Sequence, residues 1–269
     1  MIAPIMEAYA RGIVKVPVLF QVQAQEPDLG PSELDGNMTA AAFEQRLRSA
    51  FVRFPAVDIS KLMQLYSAEL LESPQLAYET IVSDMRMVCG NIELGRAWAA
   101  GATGEDAPAF LSLVVARPSH PLFIFDDAYG MQYSGHLLDL LALLGLVGGT
   151  HACCDAESWQ ACNPRPRCNR QGPLSPPSHL PLRGVDFAPF EERLQDVEET
   201  DTMREIFFRM ASRGADGLRS LGWQPVNRTG PAYGVLIGNN GTKPQESLRG
   251  TQCAFWQGNG FGPEFWWAD

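Results

Sequence analysis

Three short apolar runs limit what this chain can fold into. They are Val16–Val22, Phe110–Ala116 and Ala232–Ile237, and helical stretches lie between them. Runs of this length, rich in β-branched residues and bounded by proline, arginine or glycine, read as buried strands. Pro17 is tolerable because it sits at a strand start. Residues 38–54, 59–71 and 76–100 carry apolar residues at helical spacing, and Ser73-Pro74 opens a helix with proline in its first turn. Residues 137–146 and the charged stretch 190–213 complete the helical set, with Gly214 expected to stop the last of them. Strands alternating with helices imply an α/β architecture. Three strands are few for 269 residues, which suggests part of a larger sheet.

Residues 148–186 break the pattern. They are proline-rich, lack periodicity and hold Cys153, Cys154, Cys162 and Cys168 beside His151. The segment reads as an irregular insertion within one domain. Adjacent cysteines followed by spacings of eight and six do not suit a zinc site, which wants paired ligands such as C-x₂-C. Local disulfides and an unstructured segment remain the open readings, and a small metal-binding module is the minor one.

The net charge of −10 argues against nucleic acid, which favours a basic face. No apolar run is long enough to span a bilayer. Sequons at Asn37, Asn227 and Asn240, with six cysteines, point to a secretory route, although no signal peptide stands at the start.

Two positions carry chemistry. Glu26 lies just past the first strand, where open α/β sheets place functional groups. His136 stands in a loop before an apolar helix, and imidazole titrates where a general base must take and return a proton. Each position alone also suits a solvated loop glutamate and an inconsequential histidine at a helix start. Together, acid before histidine matches the chain order of the α/β-hydrolase triad.

The stretch KVPVLFQVQAQE resembles the type B carboxylesterase pattern of a strand followed by G-x-N-x-D-E-G. Glu26 falls on the triad glutamate, with Gln21, Gln23, Gln25 and Pro27 in place of Gly, Asn, Asp and Gly. HLLDLLALLG resembles the family's H-G-x-[ED]-L-x-x-[VL]-[FL]-G, placing His136 on the triad histidine, Asp139 on the acidic position and Leu137 where glycine is usual. A second register puts Tyr133 in the histidine's place. SDMRMVCGNIELGRAWAAG, FLSLVVARPSHP, the set Phe208, Ala211, Gly214 and Trp223-Gln-Pro225, and TQCAFW resemble later family segments in order.

The resemblance covers nearly the whole chain except 148–186. It implies the C-terminal half of an α/β-hydrolase, with a few strands of the central sheet plus helices. It also implies a Cys89–Cys253 disulfide, the other reading being two free buried cysteines. The implied activity is carboxylic ester hydrolysis with no cofactor and no metal. The implied partners are a small carboxylic ester and the N-terminal half of the same fold. No G-x-S-x-G occurs in these 269 residues, so the nucleophile is absent from them and the chain alone should not hydrolyse esters. The alternative is a non-catalytic, cholinesterase-like adhesion or interaction protein.

Overall fold

A computed structural model describes residues 7–13, 16–28, 38–101, 107–119, 131–144 and 194–262. Asn37, Gly145, His151, the four cysteines of 153–168 and the whole insertion at 148–186 lie outside the described residues.

The described sheet has four strands in the order β1 (Val18–Gln23), β2 (Ala109–Val114), β3 (Gly234–Gly238) and β4 (Gly241–Gln245). β1, β2 and β3 are parallel, in registers that set Val18 beside Ala109 and Ser112 beside Val235. β4 returns antiparallel through the Asn239–Asn240 turn. β4 is not foreseen from the sequence, because its residues Thr242, Lys243 and Pro244 are exposed and carry no apolar pattern.

All six residues of β2 are buried because helices cover both faces of the sheet. Ala109, Leu111 and Leu113 face one core, with Trp98, Ile92, Phe255 and Trp256. Phe110 and Val114 face the other, with Leu138, Met203, Ile206, Leu218 and Trp223. The alternation is the period of two that a strand imposes. The first layer holds α1 (Ala40–Ala50), α2 (Ile59–Leu65), α3 (Ser67–Glu72), α4 (Pro74–Ser83), α5 (Cys89–Gly101) and α8 (Gly250–Gly258). The second holds α6 (Leu138–Leu144) and α7 (Leu194–Arg219).

Helix starts follow their capping residues. Ser73 Oγ accepts from Leu76 N (3.0 Å) with Pro74 in the first turn, and Asp58 accepts from Lys61 N (3.1 Å). The helix expected over 38–54 ends at Ala50, and three further stretches differ from the sequence expectation. The helix expected over 59–71 is two, broken at Tyr66, whose hydroxyl is pulled inward to donate to buried Asp84 (2.8 Å). The helix expected over 76–100 passes through a π-helical turn, Asp84–Val88. Gly214 does not stop α7 but kinks it, with φ 55° and ψ −135°, and the helix resumes to Arg219.

Cys89 opens α5 and is bonded to Cys253 of α8, with Cα atoms 5.2 Å apart. Next to it, Arg249 enters α8 in the left-handed region (φ 48°), its Nε 3.2 Å from Asp84 Oδ1 and its NH1 3.3 Å from Glu69. Trp256 donates to the Tyr66 hydroxyl (3.0 Å). Phe261 packs on Phe51, Phe54 and Trp256.

Three buried carboxyls set a pH dependence. Glu79 and Glu199 are buried, with no hydrogen-bond partner among the described residues for either oxygen. Desolvation, then Asp28, pushes Glu79 up to about 8. Desolvation, then Asp196 and Asp139, does the same to Glu199. Asp84 is raised to about 6 by desolvation, which outweighs the Arg249 charge. In each case the folded state holds a proton that the unfolded chain releases near pH 4. The stability these groups contribute is therefore present below that value, and is lost as pH rises through about 6 for Asp84 and about 8 for both glutamates. The thermal midpoint is expected to fall between pH 5 and pH 9. The double variant Glu79→Gln, Glu199→Gln should flatten that fall, and an equally steep fall in the variant would assign it to other groups.

Candidate functional site

Two loops meet at the C-terminal end of the parallel strands. One follows β1 (residues 24–28) and the other precedes α6 (residues 131–137). Five hydrogen bonds lock them together. Gln25 N donates to Ser134 O (2.9 Å), and His136 N to Glu26 O (3.3 Å). Ser134 N donates to Gln25 Oε1 (3.2 Å), and buried Asp28 accepts from Gln132 N (2.8 Å) and Tyr133 N (2.6 Å). Gly135 permits the approach, since a Cβ there would lie 2.4 Å from Asp28 O.

This clasp brings Glu26 and His136 together. Glu26 Oε2 lies 2.7 Å from His136 Nδ1, and Glu26 Oε1 accepts from Gln23 N (2.8 Å). The glutamate side chain is 12% exposed and the imidazole 49%. A carboxylate on Nδ1 holds the proton there and leaves Nε2 as the free acceptor. That nitrogen makes no hydrogen bond among the described residues. Ser83 of α4 supports the acid from behind: its Oγ donates to Gln23 O (2.9 Å) and accepts from Glu26 N (3.4 Å).

The glutamines that depart from the esterase pattern are all engaged. Gln21 donates to Asp139 (2.7 Å) and accepts from Ser112 (3.1 Å), tying β1 to α6 and β2. Gln23 Oε1 is 2.8 Å from the Ser134 hydroxyl, which donates to Val114 O (2.6 Å). Gln25 donates to Thr80 (3.0 Å). Sequence reasoning singled out Glu26, His136 and Asp139 but not Ser83, Thr80, Asp28 or Ser134. The available signal was the alternation of glutamines at 21, 23 and 25 in a strand otherwise apolar, since a buried amide requires a partner.

Tyr133, the other candidate for the histidine's place, is turned away. Its hydroxyl pairs with Ser73 (2.9 Å) and its ring lies 5.2 Å from the Arg117 guanidinium. Asn227 and Asn240 are both exposed. Phe208, matched to a family position in sequence, is 66% exposed, while Met203 and Ile206 of the same helix fill the core. Among the described residues no three His, Cys, Asp or Glu side chains converge as metal ligands, and no helix is long and apolar enough to cross a membrane.

Leu137, where the family pattern has glycine, adopts φ 71°. The left-handed region costs a leucine roughly 1–2 kcal/mol, partly offset in a glycine variant by extra unfolded-chain entropy. Leu137→Gly is expected to stabilise the fold by about 0.5–1 kcal/mol, read as a higher urea midpoint. A lower midpoint would mean that Leu137 packing outweighs its strain.

No family model and no curated protein sequence matches this chain. Solved structures do. PNB esterase matches at TM-score 0.50 and 12% identity, over 93% of this chain and 40% of the esterase. Juvenile hormone esterase from Manduca sexta, with OTFP covalently attached, matches at TM-score 0.50 and 12% identity, over 94% of this chain and 43% of that one. The chain thus spans about two fifths of the length of the esterases it matches, and what it shares with them is the fold, a mixed α/β arrangement matching part of theirs.

Proposed function

We propose that this chain is the acid- and histidine-bearing part of a carboxylic ester hydrolase. The observation that carries the reading is the 2.7 Å contact between Glu26 Oε2 and His136 Nδ1, at the C-terminal ends of parallel strands in a fold shared with esterases. His136 Nε2 would take the proton of a serine hydroxyl attacking the ester carbonyl, then return it to the leaving alcohol. Glu26 would hold the tautomer and stabilise the imidazolium. The serine must come from outside residues 1–269, which contain no G-x-S-x-G. The substrate would be a small carboxylic ester, and the chemistry calls for no metal or cofactor. The Cys89–Cys253 bond and the exposed sequons at Asn227 and Asn240 support a secretory route.

The absence of that motif from these residues is what favours the second reading, a non-catalytic adhesion-type protein on the same fold. Both readings are tested by the mass and N-terminal sequence of the native protein, captured with an antibody to residues 190–213, followed by an ester turnover assay. A species about twice the 29.6 kDa of these residues, carrying an upstream G-x-S-x-G and active, is the expected result. An inert native protein with no such motif would exclude catalysis and leave the interaction role.

A further inference from the structure

The first helical layer leaves a gap over the sheet. Between α3, α4 and the start of α8 lies a cavity of about 510 Å³. Small-molecule sites occupy roughly 300–1,000 Å³. The floor is aliphatic, made by Leu76 of α4, Leu113 and Val115 at the end of β2, and Leu236 of β3. Leu113 and Val115 are two residues apart, and Leu236 is in register with Leu113, so the sheet presents all three on one face. Val115 and Leu236 are only half-buried. Neither Glu26 nor His136 lines the cavity, which is therefore separate from the acid–histidine pair.

The wall is polar. Arg249 NH1 donates to Glu69 Oε1 (3.3 Å), and its Nε lies 3.2 Å from Asp84 Oδ1. Arg249 NH2 and Glu69 Oε2 make no hydrogen bond among the described residues, and the same holds for the half-buried amides of Gln245 and Gln252. Arg117, which also lines the cavity, is closed off by Glu72, which accepts from both its terminal nitrogens. Two guanidiniums thus meet three carboxylates, Glu69, Glu72 and Asp84. No positive charge is spare for an anion, and a cation would meet both guanidiniums. The wall leaves open one charged donor, one charged acceptor and two amides that do both. A hydroxyl donates and accepts through a single atom, so neighbouring hydroxyls satisfy all of these groups, and the C–H faces of a polyol suit the aliphatic floor. Arg249 holds its place at φ 48°, a left-handed backbone that costs an arginine energy and is the kind of strain that collects at binding sites.

We propose that the cavity between α3, α4 and α8 binds a small neutral polyol, of monosaccharide or disaccharide size, with hydroxyls bridging Arg249 and Glu69 and its carbon skeleton on Leu113, Val115 and Leu236. Gln245 and Gln252 complete the hydrogen bonding. The assignment stands independently of the ester-hydrolase reading.

The test is an NMR titration of the isotope-labelled chain with glucose, galactose, mannose, sucrose and glycerol, and separately with hexanoate and butylammonium. At least one polyol is expected to shift the Val115 and Leu236 methyl signals and the Gln252 side-chain amide saturably, and neither ion to do so. Gln252→Ala removes one hydrogen bond and should weaken that binding about fivefold. Leu236→Trp fills the cavity and should abolish it, with an unchanged thermal midpoint showing that the variant is folded; if it misfolds, Gln252→Ala decides. Saturable shifts from hexanoate or butylammonium with none from any polyol would overturn the ligand class. No saturable shift from any probe, or polyol binding undiminished in the folded variants, would overturn the site.

Discussion

In any form of the protein that carries the serine, His136→Ala is expected to lower ester turnover by about a million-fold. Removing the base from a serine triad costs about as much as removing the whole triad, because the hydroxyl is then a nucleophile at its ordinary, unreactive pKa. The fold should survive, since the imidazole is half exposed and belongs to neither core. Glu26→Gln should cost less, about 10⁴-fold, because an amide keeps the shape and one contact to Gln23 N but loses the charge that stabilises the imidazolium. Turnover unchanged in His136→Ala would place the base elsewhere and return attention to Tyr133. Equal losses in both variants would mean that Glu26 does more than orient.

Breaking the Cys89–Cys253 bond is the largest expected change in stability. The bond closes a loop spanning 164 positions, for which the chain-entropy treatment gives about 5 kcal/mol. Typical domains have only about 5–15 kcal/mol in all. Cys253→Ser is therefore expected to lower the urea midpoint steeply, and reduction of the wild-type chain should reproduce the shift. The bond fastens α8 to the start of α5, beside the Arg249–Asp84 ion pair and the Trp256–Tyr66 hydrogen bond. If the midpoint barely moves, those neighbours hold α8 in place by themselves.

What could be read from the sequence is what depends on local pattern. The runs that became β1, β2 and β3 were visible because a strand covered on both faces is apolar throughout, and the Ser73-Pro74 helix start because capping acts over three residues. Glu26 and His136 were singled out through an ordered resemblance, since neither position is distinctive alone, and the fold brings the two side chains together. β4 was missed because an exposed edge strand carries no apolar signal, and the break at Tyr66 because its cause, Asp84, lies eighteen residues away. The kink at Gly214 looked like a stop because glycine commonly ends helices, whereas Ala215 and Leu218 beyond it are held in the core.

The sequence by itself determined β1, β2, β3 and the helical stretches, together with the acid-before-histidine order, while the cysteine pair was implied by the family resemblance. Only the tertiary structure decided which polar side chains are partners. Gln21 with Asp139, Gln25 with Thr80 and Glu26 with Ser83 are 118, 55 and 57 residues apart. Burial also left Glu79 and Glu199 without partners among the described residues, although their helices offered solvent faces. The reason is physical: periodicity records which face of an element is apolar, whereas hydrogen bonding and desolvation depend on which other element that face meets.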